Sequence, residues 1–219
     1  MKITGIAAQK KERGRRNLLV DGEFAVALSV ETLLRAGLRV GDTVTPETVE
    51  RLRQEDLHRE AKTAALRLLG RRPRTVKEIR DRLEKRGVDA AIAAGVLEEL
   101  TAAGLLDDRT VARMVVRDML THRPSGGGAM RRKLARLGVP KETAAGAIGE
   151  LAGSGAQREA ALAAARKYMQ RKPIPRRAED RKKLRARLSS FLLRRGFSWD
   201  DARPAVAELF NEDETEGSP

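Results

Sequence analysis

Cysteine is absent from this 219-residue chain and histidine occurs only at His58 and His122, which excludes a disulfide scaffold and a His/Cys zinc centre. Aromatic residues make up 3% of the sequence, four Phe, one Tyr and one Trp, too few to line a single-strand channel. No apolar run approaches the length that spans a bilayer, and nothing near Met1 reads as a signal sequence. The expectation is a cytoplasmic protein with no membrane partner, no cofactor and no metal. Its core must be filled by small side chains, which suits closely packed helices in small modules.

Charge is plentiful and one-sided. Forty-five Lys and Arg against 31 Asp and Glu leave a net charge of +14, which points to a polyanionic partner or an acidic protein surface. The last nine residues, NEDETEGSP, run the other way with four acids and no base, and read as a disordered acidic tail.

The chain is organised around Pro73 to Gly104, which reads as two helices joined at Gly87. Set Gly87, Gly138 and Gly196 in register, and the same apolar face stands upstream each time: Ile79 and Leu83, Met130 and Leu134, Leu188 and Leu192. Downstream follow Val88, Val139 and Phe197, then Ala93, Ala144 and Ala202, then the dipeptides Glu99-Leu100, Glu150-Leu151 and Glu208-Leu209. Before each unit lies another helix ending at a basic-Pro pair, Arg72-Pro73, Arg123-Pro124 or Lys172-Pro173. Its inner faces are Ala61, Ala65 and Leu69, then Ala112, Val116 and Leu120, then Ala161, Ala165 and Met169. The pattern predicts a mainly α protein: three tandem three-helix repeats forming an elongated array.

A different period precedes the repeats. Ile3 to Gln9, Asn17 to Val20 and Glu23 to Leu28 read as strands, with a hairpin turn at Asp21-Gly22. Ser29 caps a short helix closed by Gly37, Leu38 to Val44 returns as a strand, and Thr45-Pro46 starts helical pattern that continues with one interruption to Gly70. The expected domains are a β-hairpin and helix module at 1–56, repeats at 57–106, 107–153 and 154–210, and the tail at 211–219.

Positive charge concentrates on the second helix of each repeat. These are Lys77, Arg80, Arg82, Lys85 and Arg86; then Arg131, Arg132, Lys133 and Arg136; then Arg181, Lys182, Lys183, Arg185, Arg187, Arg194 and Arg195. The basic loop Lys10, Lys11, Arg13, Arg15 and Arg16 adds to them. The third helices instead carry Glu98, Glu99, Glu150, Asp200 and Glu208, which phosphate would repel, so a helix-turn-helix reading of bases is not expected. Binding to single- or double-stranded DNA is expected to be weak, largely sequence-independent, electrostatic and salt-sensitive.

Catalytic signals are lacking, and no enzyme is expected. Neither histidine has an evident carboxylate or serine partner. Asp107 and Asp108 could hold a metal, but helix N-capping accounts for both. Gly126 to Gly128 lacks the Gly-Lys-Ser/Thr continuation of a phosphate loop and reads as a linker, while Trp199 reads as closing the end of the core.

The order of these elements resembles the RecX family, bacterial regulators of RecA. The residues that carry the resemblance are Ala65-Leu66-Arg67-Leu68-Leu69, Arg72-Pro73-Arg74-Thr75, Glu78-Ile79, Leu83, Gly87, Leu97 to Leu100 and Gly104-Leu105-Leu106-Asp107-Asp108 with Ala112. Leu134, Leu137-Gly138-Val139 and Arg194-Arg195-Gly196-Phe197 complete it, and Asp21-Gly22-Glu23 is similar to the longer members. The resemblance implies a non-enzymatic monomer that lies in the helical groove of the RecA filament. It also implies inhibition of recombinase, ATPase and coprotease activities, within DNA repair and the SOS response. The alternative left open by the residues is a basic transcriptional or architectural regulator acting on duplex DNA.

Overall fold

The structure, a computed structural model, describes residues 1–9, 12, 14–170 and 172–215. Two compact units divide it: Met1–Arg72 with Ile79–Leu105, and Pro73–Glu78 with the chain from Leu106 onward.

In the first unit, β1 (Ile3–Ala8), β2 (Arg15–Val20) and β3 (Glu23–Ser29) form one antiparallel sheet in that order. Asp21 (φ 49°) and Gly22 (φ 88°) both take left-handed conformations, the pair of positive φ angles that a two-residue hairpin turn requires. One face of the sheet buries Ile3, Leu18, Val20, Val26 and Leu28 against Leu33, Val44 and Leu52. Ser29 caps α1 (Val30–Ala36) through the Thr32 amide, and Gly37 ends it at φ 64°. The return strand expected over 38–44 shrinks to a single bridge, Lys2 to Thr43, because Gly41 turns the chain at φ 101°.

Thr45 then caps α2 (Pro46–Leu69), and this helix runs unbroken where one interruption was expected. The N-terminal module and the first repeat share it, so residue 56 lies inside a continuous helix. The repeat is completed by α3 (Val76–Glu84) and α4 (Ala90–Ala102). Ile79 and Leu83 on α3 are 0% exposed, and Ala61 and Ala65 on α2 and Val96 and Leu100 on α4 are likewise buried. Alanine at the α2 positions leaves room for helices to approach closely, and each fully buried Ile or Leu contributes about 2 kcal/mol.

The second unit repeats the scheme twice. α5 (Asp108–Thr121), α6 (Gly127–Arg136) and α7 (Lys141–Leu151) enclose Ala112, Val116, Met130, Leu134 and Val139; α8 (Ser154–Met169), α9 (Ala178–Arg194) and α10 (Trp199–Thr215) enclose Ala161, Ala165, Leu188, Leu192 and Phe197. α10 runs on through Thr215, so the acidic stretch expected to be disordered from residue 211 begins as helix.

One turn joins the second and third helices in all three repeats. At Gly87 (φ 77°), Gly138 (φ 79°) and Gly196 (φ 85°) the chain reverses. The next amide then reaches back five residues: Val88 to the Leu83 carbonyl at 3.2 Å, Val139 to Leu134 at 3.0 Å, and Phe197 to Leu192 at 3.2 Å. This closure satisfies carbonyls that a helix end leaves without partners.

Candidate nucleic-acid and protein interface

The second helices carry the basic residues, and the first turns of α3 and α6 are also held by groups of the following repeat. Thr75 and Glu78 form the capping box the sequence predicts, the Glu78 amide donating to Thr75 Oγ1 at 3.1 Å and the Thr75 amide to Glu78 Oε2 at 3.2 Å. Thr75 Oγ1 also donates to the Leu137 carbonyl at 2.6 Å, and the Val76 amide donates to Asp108 Oδ1 at 2.9 Å. A Cβ on Gly138 would stand 2.4 Å from Lys77 Cβ, so that glycine admits the Lys77 stem.

The next repeat uses the same joint with different chemistry. Gly126 donates to the Arg195 carbonyl and Gly128 to the Gly196 carbonyl, each at 3.0 Å, while Gly127 donates to Gln157 Oε1 at 3.0 Å. Asp108 on α5 and Gln157 on α8 thus perform one task, capping the second helix of the preceding repeat. Two expectations are corrected here. Gly126 to Gly128 is neither linker nor open cradle, because its amides are already bonded and its lack of Cβ atoms permits backbone-to-backbone contact. Asp107 caps α5 through the Arg109 and Thr110 amides at 2.9 and 3.2 Å, whereas Asp108 caps α3 rather than its own helix. Burial raises the pKa of Asp108, and the carboxylates of Asp107 and Glu78 add to the rise against the bond from Val76. Among the described residues no group of His, Cys, Asp or Glu could hold a metal ion.

The basic residues of these helices divide into two kinds. On α3 and the turn after it, Lys77, Arg80, Arg82, Lys85 and Arg86 are exposed; on α6, so are Arg131, Arg132, Lys133 and Arg136. On α9 the exposed set is Lys182, Lys183, Arg185, Arg187 and Arg194. Arg181 and Arg195 are half-buried and serve as struts: Arg181 donates to the Phe210 carbonyl at 3.4 Å, and Arg195 to the Pro124 carbonyl at 3.1 Å with its guanidinium 5.3 Å from the Phe191 ring.

One acid on each third helix is taken up within its repeat. Glu99 pairs with Lys62, Glu150 with Arg113 at 2.6 Å and Glu208 with Arg166 at 3.2 Å, in every case joining the third helix to the first. Hydrogen bonds from Lys62 and Arg113 lower the pKa values of Glu99 and Glu150. His58 does have a carboxylate nearby, with Nε2 3.9 Å from Glu99. The repeated Glu-Leu dipeptide is therefore half ion pair and half packing, and the basic partners at Lys62 and Arg113 were visible 51 residues apart in sequence.

Of the N-terminal basic loop, Lys10, Lys11 and Arg13 lie outside the described residues. Arg15 is a correction: it is committed to Asp56 at 3.3 Å, to Glu60 and to the Ala27 carbonyl at 2.7 Å, which makes it structural. Arg16 is half-buried and donates to the Arg15 carbonyl at 3.0 Å. Asp56, 1% exposed, accepts from the Ser29 amide at 3.2 Å, from the hydroxyls of Ser29 and Thr32, and from Arg59 at 3.3 Å. Burial pushes its pKa up, but the hydroxyl, amide and guanidinium donors outweigh that and hold it below the usual carboxylate value. Trp199 is the last correction, since it is 55% exposed and Phe197, 3% exposed, closes the core instead.

No helix among the described residues is long and apolar enough to cross a membrane. Comparison with known proteins gives three matching family models: the regulatory protein RecX N-terminal domain over residues 1–45, the RecX first three-helix domain over 61–100 and the RecX third three-helix domain over 156–206. A regulatory protein RecX of Lactobacillus delbrueckii subsp. bulgaricus is 31% identical over 215 residues, covering 96% of this chain and 75% of that protein. One from Clostridium botulinum is 28% identical over 210 residues, with 96% and 97% covered. The fold is also that of a crystal structure of regulatory protein RecX, at a TM-score of 0.69 and 24% identity over 92% of this chain and 97% of that one.

Proposed function

The chain belongs to the RecX family of regulatory proteins, and we propose from this that it acts without catalysis, in the cytoplasm, by binding a RecA–DNA filament as a monomer. In this reading it occupies the filament's helical groove through repeats at 57–106, 107–153 and 154–210. Bound there it inhibits recombinase, ATPase and coprotease activities, with weak, sequence-independent contact to single- and double-stranded DNA. The observation that carries the reading is the separation of charge within each repeat. One acid of each third helix, Glu99, Glu150 or Glu208, is spent on an internal ion pair, whereas most bases of the second helices remain exposed. A surface so composed attracts phosphate and acidic protein alike.

The test reverses charge on α6, where four bases share ten residues and none is a strut. A chain with Arg131→Glu, Arg132→Glu and Lys133→Glu is expected to keep its helical circular dichroism and lose most of its inhibition of RecA ATPase on single-stranded DNA. Full inhibition by the folded variant would remove α6 from the contact. Preference for one duplex sequence over others, with no effect of RecA and ATP on binding, would favour a duplex regulator.

A further inference from the structure

β3 is an edge strand, with β2 on one side and no further strand beside it among the described residues. Along its second half α2 closes the free side. The Ala27 carbonyl accepts from Arg15, itself paired with Asp56 of α2, and the Ser29 amide donates to Asp56 at 3.2 Å. The first half is open: among the described residues, the main chain of Phe24 and Ala25 makes no hydrogen bond outside the β2–β3 ladder.

A bulge shapes this open half. Val26 pairs with Leu18 and Phe24 with Leu19, which leaves Ala25 as the extra residue. On a regular strand Phe24 and Val26 would share a face, yet Val26 is 6% exposed and Phe24 60%, so the bulge turns the ring out. Beside the ring lie two clefts of about 420 and 360 Å³ that share Phe24, Ala25, Val49 and Glu50. All of residues 24–27 line the larger one. Successive side chains of a strand point to opposite faces, so a wall of four in a row is the edge of the strand itself. Pro46, Val49 and Leu57 of α2 supply apolar lining.

The charge here differs from that of the second helices. Arg15 and Arg53, the basic side chains of the lining, are held by Asp56 and by Glu50 at 3.5 Å. The Met1 amine is the other cation, against Asp21, Glu23, Glu50 and Asp56. Glu23 is exposed and has no hydrogen-bond or ion-pair partner among the described residues.

We propose that this groove receives an extended segment of a protein partner. Its main chain adds to the open half of β3, its apolar side chains lie against Phe24, Val49 and Leu57, and a Lys or Arg faces Glu23. Unpaired strand main chain selects an extended polypeptide, whose alternate side chains then fall into the cleft. Glu23 repels phosphate, so the groove does not continue the basic surface. The inference goes beyond filament inhibition and uses none of the second-helix residues.

The probe is a fluorescein-labelled peptide of alternating Val and Lys, titrated into the full chain and read by anisotropy. It is expected to bind, and the Val and Glu counterpart not to, although a net charge of +14 favours the acidic peptide. Phe24→Ala is expected to weaken binding about tenfold and Glu23→Lys about threefold. A central Pro in the probe removes a main-chain donor and is expected to abolish binding. No binding of the Val and Lys peptide at about 1 mM overturns the proposal, as does tighter binding of the acidic peptide. Equal affinity of the native chain and both variants, or full affinity of the Pro-bearing probe, overturns it as well. A dimer in sedimentation that Phe24→Ala abolishes assigns the groove to a second copy and overturns it too. Should Phe24→Ala fail to fold, Glu23→Lys and the Pro-bearing probe decide. Charge reversal on α6 tests filament inhibition separately, so failure here leaves that reading standing.

Discussion

The backbones of Gly126 and Gly196 touch: a Cβ on Gly126 would stand 2.1 Å from the carbonyl carbon and oxygen of Gly196. The neighbour is main chain held at φ 85° and bonded to its own helix, so it has no rotamer with which to yield. Gly126→Ala is therefore expected to destabilise the chain by about 2 to 3 kcal/mol, read as a lower urea midpoint. Gly128→Ala, whose Cβ would meet the Gly196 oxygen at 3.1 Å, is expected to cost less. Equal stability of Gly126→Ala and the native chain would show that the joint opens freely.

That joint also marks the limit of what the sequence discloses. Register among Gly87, Gly138 and Gly196 is enough to place the turns, and the residues four and eight positions upstream are all 0% exposed. Contacts between repeats are less legible, because Thr75, Val76 and Lys77 share no residue type with Gly126, Gly127 and Gly128, yet dock in the same way. Geometry is kept while chemistry changes, from a hydroxyl and a carboxylate to bare backbone and an amide. Likewise, a lone Asp56 or Arg15 gives no sign in sequence that its partner lies on another element. Exposure of most second-helix bases follows from their helical faces, whereas the strut roles of Arg181 and Arg195 depend on carbonyls that only the fold brings near.

Asp108 and Gln157 do the same capping work, but only Asp108 carries a charge into a half-buried site beside Asp107 and Glu78. Asp108→Asn keeps an oxygen for the Val76 amide and removes the repulsion, so it is expected to be neutral or stabilising by up to about 1 kcal/mol at pH 7. Asp108→Ala loses the cap and is expected to destabilise by about 1 kcal/mol. A carboxyl whose folded pKa is raised costs stability above that pKa and ceases to do so as pH falls through it. The advantage of Asp108→Asn is therefore expected to shrink toward pH 4. Urea melts at several pH values measure it, and an advantage that grows in acid would be the wrong sign.

Asp56 has the opposite sign. Its folded pKa is held below the ordinary carboxylate value near 4. Its stabilising contribution is present in full above that value and is lost as pH falls through the folded pKa. Asp56→Asn leaves Arg15 and Arg59 without their shared carboxylate, and is expected to destabilise the chain by about 2 kcal/mol at pH 7. The same variant is expected to flatten the acid limb of the stability profile below about pH 4. A native-like acid limb in Asp56→Asn would mean that other carboxylates govern acid unfolding.

Deleting residues 211–219 tests whether the acidic end competes for the basic surface. The Phe210 carbonyl accepts from Arg181, and the Phe210 ring lies 5.1 Å from the Arg185 guanidinium, so the chain leaves its last core residue beside the basic first half of α9. Four acids follow Phe210 in the sequence, and the prediction is that they compete with phosphate for Lys182, Lys183 and Arg185. α10 runs on to Thr215, and the dipole of a helix C-terminus disfavours negative charge there. The truncated chain is expected to bind oligo-dT about threefold more tightly at about 50 mM salt, with the gap closing by about 0.5 M as screening removes the competition. Equal affinity at low salt would dispose of the idea, since that is where an intramolecular carboxylate competes best with phosphate.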